Sequence, residues 1–225
     1  MKIEVLGGNN LRRLPGEGFL PGLEAWAVSV PLEGKMYDVD LIREGDDRWL
    51  RKTLKTDSLS RFYGDLISPS EVFQRHFLEH QITLSYLGDF CVPTMFYVET
   101  VAGQSFFRIL QPWVRAAVQY KEAVMTGRKL TQRQLPEYSL RAAFLAGISR
   151  LVANIYPELP DFDFFVTEDR DIAVFDTTGF WIEKREGKDR ANIAFNFARF
   201  LFTDSELATR EISELVGVLG GVIGG

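Results

Sequence analysis

The chain has 225 residues, of which 46% are hydrophobic and 25% charged, and carries a net charge of −5. These values suit one globular domain or two small lobes, and exclude a disordered or fibrous chain. Lys and Arg are scattered rather than clustered, so the basic stripe expected of a protein that binds nucleic acid or an anionic membrane is missing.

Residues 1–23 are rich in Gly and Pro and read as an arm or a weak edge strand. Acid and glycine stand there where a signal peptide would have its apolar core. Strand-like patterning begins at Ala25. Residues 26–30 form a short apolar run, and residues 36–43 place Tyr37, Val39 and Leu41 on one face. Residues 44–47 (EGDD) signal a turn, and residues 48–54 return as the second arm of a hairpin. Ser68, Pro69 and Glu71 then form a helix start: a capping serine, a proline at the first helical position and a glutamate three residues after the cap. Val72, Phe73, Phe77, Ile82, Leu84 and Leu87 extend the helix to Gly88, which ends it. Residues 94–100 and 105–110 read as two further strands. The first 110 residues thus predict five antiparallel strands with a helix after the third.

The second half is mainly helical. Helices are expected over 114–126, closed by Gly127, and over 139–156. Two short strands, 164–167 and 172–175, flank the turn EDRD. Helices over 188–202 and 205–219 follow, with Thr203 and Glu206 as the capping box of the last. The lone Cys91 excludes an internal disulfide and fits a buried, reduced thiol in a cytoplasmic protein. No run of 18 apolar residues exists, so no membrane span is expected, and the apolar stretch 215–225 is too short to be one. His76 and His80 share a helix face one turn apart, but with no third ligand in sight they read as a packed or surface pair.

This order of elements resembles the protein kinase superfamily over roughly residues 25–203, most sharply over 156–179 (YPELPDFDFFVTEDRDIAVFDTTG). The resemblance implies an α+β, two-lobed fold. Its N-terminal lobe (residues 1–110, with 1–23 as an arm) would be a five-stranded antiparallel sheet with one helix. Its C-terminal lobe (residues 111–225) would be truncated and mainly helical, with a metal-loop hairpin. Anchoring on the strand pair FFV and IAVF, Asp176 of Asp176-Thr177-Thr178-Gly179 falls at the metal-binding Asp of D-F-G. Asp163 falls at the metal-binding Asn, and Glu158 at the catalytic Asp, with Asp161 as an alternative. Lys52 falls at the phosphate-binding lysine of the third strand, with Lys55 as fallback. Its acidic partner on the inserted helix would be Glu79 or Glu71; Glu79 is preferred because Glu71 already serves the capping box. Leu50 would face an adenine pocket, and Leu110 and Gln111 would stand at the hinge that borders it.

The chemistry is coherent. Phosphoryl transfer needs Mg²⁺ held by hard oxygen ligands, a cation for the phosphates and a carboxylate for the attacking hydroxyl. The departures are equally plain. The segment between the first two strands, residues 31–35, has one glycine, so a backbone phosphate grip is weakened. Tyr156-Pro157-Glu158 replaces H-R-D, and Pro160 stands where protein kinases have a lysine. Asp161, Asp163 and Asp176 also suit the ordinary work of aspartates at turns. The resemblance therefore implies a divergent ATP- and Mg²⁺-binding protein that transfers phosphate to a small-molecule or protein hydroxyl. The alternative is a pseudokinase that senses nucleotide or docks a protein partner without catalysis. Neither nucleic acid nor a membrane is an expected partner.

Overall fold

The computed structural model describes residues 2–9, 27–33, 37–44, 47–58, 67–154, 163–175, 177 and 190–202. The chain is a mixed α+β protein built on antiparallel sheets. It divides into two compact units, residues 1–78 with 92–113 and residues 79–91 with 114–225, and the boundary falls inside a helix.

The first unit holds a six-stranded sheet of β1 (Lys2–Asn9), β2 (Ala27–Glu33), β3 (Tyr37–Glu44), β4 (Asp47–Leu54), β5 (Thr94–Val101) and β6 (Gln104–Pro112). The strand order is β1-β5-β6-β4-β3-β2. Five strands were expected from the sequence, and the sixth is β1, within the segment read as an arm or weak edge strand. It pairs with β5, with a register shift between Val5 and Gly8. Gly7 and Gly8 interrupt the alternation of Ile3 and Val5, which is why the strand signal is faint. The β5–β6 turn places Ala102 and Gly103 at φ of 49° and 82°, the positive pair that a two-residue hairpin loop requires.

Helix α1 (Pro69–Leu87) follows β4. Its predicted capping box is present. Ser68 N and Oγ donate to Glu71 Oε2 at 2.7 and 2.9 Å, and Glu71 N donates back to Ser68 Oγ at 3.3 Å. Each side chain thereby satisfies an amide that the helix end leaves bare. Val72 and Phe73 of α1 pack on Leu54, Phe96, Val98, Phe107 and Ile109 from one face of the sheet. The other face is also buried, with Ile42, Trp49, Met95, Tyr97 and Leu110 in one cluster.

The second unit contains the end of α1 and a 3₁₀ turn (Gly88–Phe90), then β7 (Ala116–Gln119), α2 (Tyr120–Thr126), α3 (Tyr138–Asn154), β8 (Phe164–Thr167), β9 (Ile172–Val174) and α4 (Arg190–Leu201). The strands form a sheet in the order β7-β8-β9. The helix expected over 114–126 is a correction: it starts at Tyr120, and Ala116–Gln119 is a strand paired with β8. The local composition favours helix there, and cross-strand pairing overrides it. Phe164 is the hub of the core. Its ring lies 4.9 Å from that of Tyr120, 5.0 Å from Phe144 and 5.4 Å from Phe197. Gly147 lets α3 approach the end of α1, since a Cβ there would meet the Tyr86 carbonyl oxygen at 2.9 Å. Among the described residues no helix is long and apolar enough to cross a membrane. The helix expected over 205–219, with Thr203 and Glu206, lies outside them.

Candidate functional site

Strand alternation sorts the candidates of the first unit. Lys52 lies opposite Val39 and Ile109, and Leu50 lies opposite Leu41 and Gln111. Leu50, Lys52 and Gln111 therefore share the sheet face that α1 covers. Leu110, one residue along, points to the other face and packs in the cluster of Ile42, Trp49, Met95 and Tyr97. Gln111 is buried, and its Nε2 donates to Thr94 Oγ1 at 2.9 Å. Lys52 is half-buried. Its neighbour from α1 is His76, fully buried with its ring 5.0 Å from that of Phe107. Burial pushes the His76 pKa down to about 3, and the Lys52 charge adds to the shift. At neutral pH the imidazole is uncharged, so Lys52 meets no second cation from that side chain.

The fallback residues have local roles instead. Lys55 pairs with the exposed Asp38 at 3.6 Å, and Glu71 closes the capping box. Glu79 is buried on α1, one turn beyond His76.

In the second unit Asp163 is 2% exposed, just ahead of β8. Its Oδ1 accepts from the Lys121 and Phe164 amides at 3.1 and 2.9 Å, and its Oδ2 accepts from Gln119 Nε2 at 2.7 Å. A carboxylate offers about four lone-pair directions, so three donors nearly fill it. Gln119, the N-cap of α2, makes no side-chain cap of its own. Asp163 supplies that cap from 42 residues along the chain. The residue that sequence reasoning assigned to a metal thus already accepts three hydrogen bonds. No group of three or more His, Cys, Asp and Glu among the described residues is placed to hold a metal ion. Asp176, Glu158 and Asp161 lie outside the described residues.

Thr177, next to Asp176, is buried. His80 Nδ1 stands 2.8 Å from Thr177 Oγ1, and Thr83 Oγ1 donates to the Thr177 carbonyl oxygen at 3.2 Å. Burial lowers the His80 pKa to about 4. The end of α1 thus holds Thr177. Sequence reasoning missed this clasp and the part played by Gln119, because both are pairings across 44 or more residues that no local pattern announces. Cys91 is buried and reduced, and burial raises its pKa to about 12.

No family model matches the chain, and no curated protein matches it in sequence. Among solved structures, the kinase domain of Mycobacterium tuberculosis PknI is similar over 89% of this chain and 88% of its own, at 13% identity and a TM-score of 0.42.

Proposed function

We propose that this chain is a divergent kinase-like protein that binds a nucleoside triphosphate. The observation that carries the reading is the setting of Lys52. A half-buried lysine stands on the helix-covered face of a central strand, beside a histidine that burial keeps neutral. An ammonium so placed is a point charge suited to phosphate oxygens. Glu79, buried on α1, is the acid that the resemblance pairs with that lysine. Leu50 and Gln111, on the same sheet face, would border the base, with the backbone near Leu110 as the hinge. ATP, when bound, would supply the transferable phosphoryl group. Glu158, or Asp161, would accept the proton of an acceptor hydroxyl.

A specific observation favours the second reading, a pseudokinase that senses nucleotide or docks a protein partner without turnover. Asp163, at the position where the resemblance calls for a Mg²⁺ ligand alongside Asp176, spends its carboxylate on Gln119, Lys121 and Phe164.

The test is a thermal shift with ATP on the native chain and on Lys52→Met. A ligand bound only by the folded state raises the midpoint. We expect a rise that disappears in Lys52→Met while the ligand-free midpoint holds. No rise at millimolar ATP would sink the nucleotide-binding reading. A rise without phosphate release or transfer in any assay would select the pseudokinase.

A further inference from the structure

We propose that Asp163 is an anchor rather than a metal ligand, and that the nucleotide this chain binds is metal-free. The second half of the inference rests on the nucleotide-binding reading above; the first half does not. Helix α2 is only seven residues long and has no side-chain cap from its own N-cap residue. A short helix with bare first-turn amides is marginal without tertiary support. Asp163 provides that support: Oδ1 bridges the Lys121 amide of α2 to the Phe164 amide that opens β8, and Oδ2 takes the Gln119 amide at the end of β7. One carboxylate thus joins the last residue of β7, the first turn of α2 and the start of β8. The Asp163 carbonyl oxygen also accepts from Phe175 N at 3.4 Å, next to β9.

Oδ1 already accepts from both backbone amides, so a cation that displaces no donor could approach Asp163 only at the one direction of Oδ2 that Gln119 leaves open. A cation on Oδ1 would leave the Lys121 and Phe164 amides half-buried or buried with no acceptor, a cost of about 1–3 kcal/mol for each orphaned group by general experience. Mg²⁺ also demands near-octahedral oxygen geometry and gives up its waters reluctantly. Asp163 offers such an ion at most one ligand oxygen, Oδ2, in a direction limited by the Gln119 hydrogen bond. A triphosphate without Mg²⁺ needs no such ligand and relies on cationic and amide donors instead.

The test has two arms. The first is a double-mutant cycle on Asp163→Ala and Gln119→Leu, read as thermal midpoints in EDTA so that no metal contributes. Asp163→Ala is expected to lower the midpoint by about 5 °C or more, and Gln119→Leu by less. The two losses are expected to be non-additive, because they break one hydrogen bond. Asp163→Asn is expected to stay near the native midpoint. Its amide oxygen can still accept from both backbone amides, and the Gln119 side chain can turn over to give its oxygen to the new NH₂. This variant also keeps the test alive if Asp163→Ala does not fold. Additive losses, or an Asp163→Asn midpoint as low as that of Asp163→Ala, overturn the anchor.

The second arm is ATP titration of the native chain in EDTA and in Mg²⁺. Equal affinity in the two buffers is expected. Binding that Mg²⁺ tightens by about tenfold or more, and that Asp163→Asn reduces only in Mg²⁺, overturns the metal-free half. Failure to bind ATP in either buffer sinks the nucleotide-binding reading and the metal-free half with it, while the cycle in EDTA decides the anchor by itself.

Discussion

The two faces of the six-stranded sheet bury charge in different ways. On the face away from α1, two arginines among the described residues are paired with carboxylates of the sheet itself. Arg51 donates from Nε and Nη2 to Asp40 Oδ2 at 3.0 and 2.8 Å, directly across the β3–β4 ladder. Arg108 meets the 1%-exposed Glu99 at 2.6 Å, with Tyr97 opposite on β5. On the face under α1, the directly opposed neighbours of Lys52 are Val39 and Ile109, both apolar. Charges closed into pairs by register are the mark of a structural network, whereas Lys52 lies between apolar strand neighbours on the helix-covered face. Buried pairs of the first kind are weak evidence for stability, since desolvation offsets much of the attraction.

The largest expected effect breaks that first kind of pair. Glu99→Leu leaves the Arg108 guanidinium buried without its carboxylate, and should cost about 3–5 kcal/mol of unfolding free energy by denaturant titration. Glu99→Leu combined with Arg108→Leu removes both charges and should recover most of that loss. If the double variant is as unstable as the single one, the pair contributes more than it costs to desolvate, and the contrast between the faces fails.

The next effect belongs to the other face. The folded-state pKa of His76 lies at about 3 and that of His80 at about 4, both below the ordinary value of 6.5, chiefly through burial. Protons therefore bind the unfolded chain more tightly. Stability is unaffected by these groups above about pH 6.5 and falls as the pH drops from there towards 4 and then 3, with a slope of about 1.4 kcal/mol per pH unit for each histidine. His76→Leu should flatten this acid limb by about one histidine's share. An unchanged limb would place the loss elsewhere, in the carboxylates.

How far the sequence reveals this molecule depends on how local each cause is. The capping box of Ser68 and Glu71 spans three residues and was legible, as was the end of α1 at Gly88. The strands 164–167 and 172–174 were legible from their apolar runs and the intervening turn. What was not legible depends on partners far along the chain. β7 is a strand because β8 lies beside it, and β1 because β5 does. The candidate site divides in the same way. The shared face of Leu50 and Lys52 follows from strand alternation alone. The commitment of Asp163 could not be foreseen, because its donors Gln119 and Lys121 stand more than 40 residues away. An aspartate that caps and an aspartate that binds metal look identical in a sequence.

The two smallest effects test the surface of the same unit. Ser68→Ala removes the acceptor for the Glu71 amide and a donor to the Glu71 carboxylate, and should cost about 1 kcal/mol. The hydrogen bonds from Ser68 hold the Glu71 pKa below its ordinary value, so part of the cost should vanish as that carboxylate is protonated below about pH 4.5. Lys55 and Asp38 form a pair 3.6 Å apart with side chains 38% and 70% exposed. An ion pair this open is screened by water and salt and holds two side chains still for little gain, so Lys55→Ala should change stability by no more than about 0.5 kcal/mol. The value of this last variant lies in its contrast with Lys52→Met. Both remove one lysine from β4 or its end, so both shift the net charge equally. If ATP binding falls with Lys52→Met and holds with Lys55→Ala, the strand face decides which lysine meets the phosphates. If both variants weaken binding alike, general electrostatic attraction explains the effect and the assignment of Lys52 is lost.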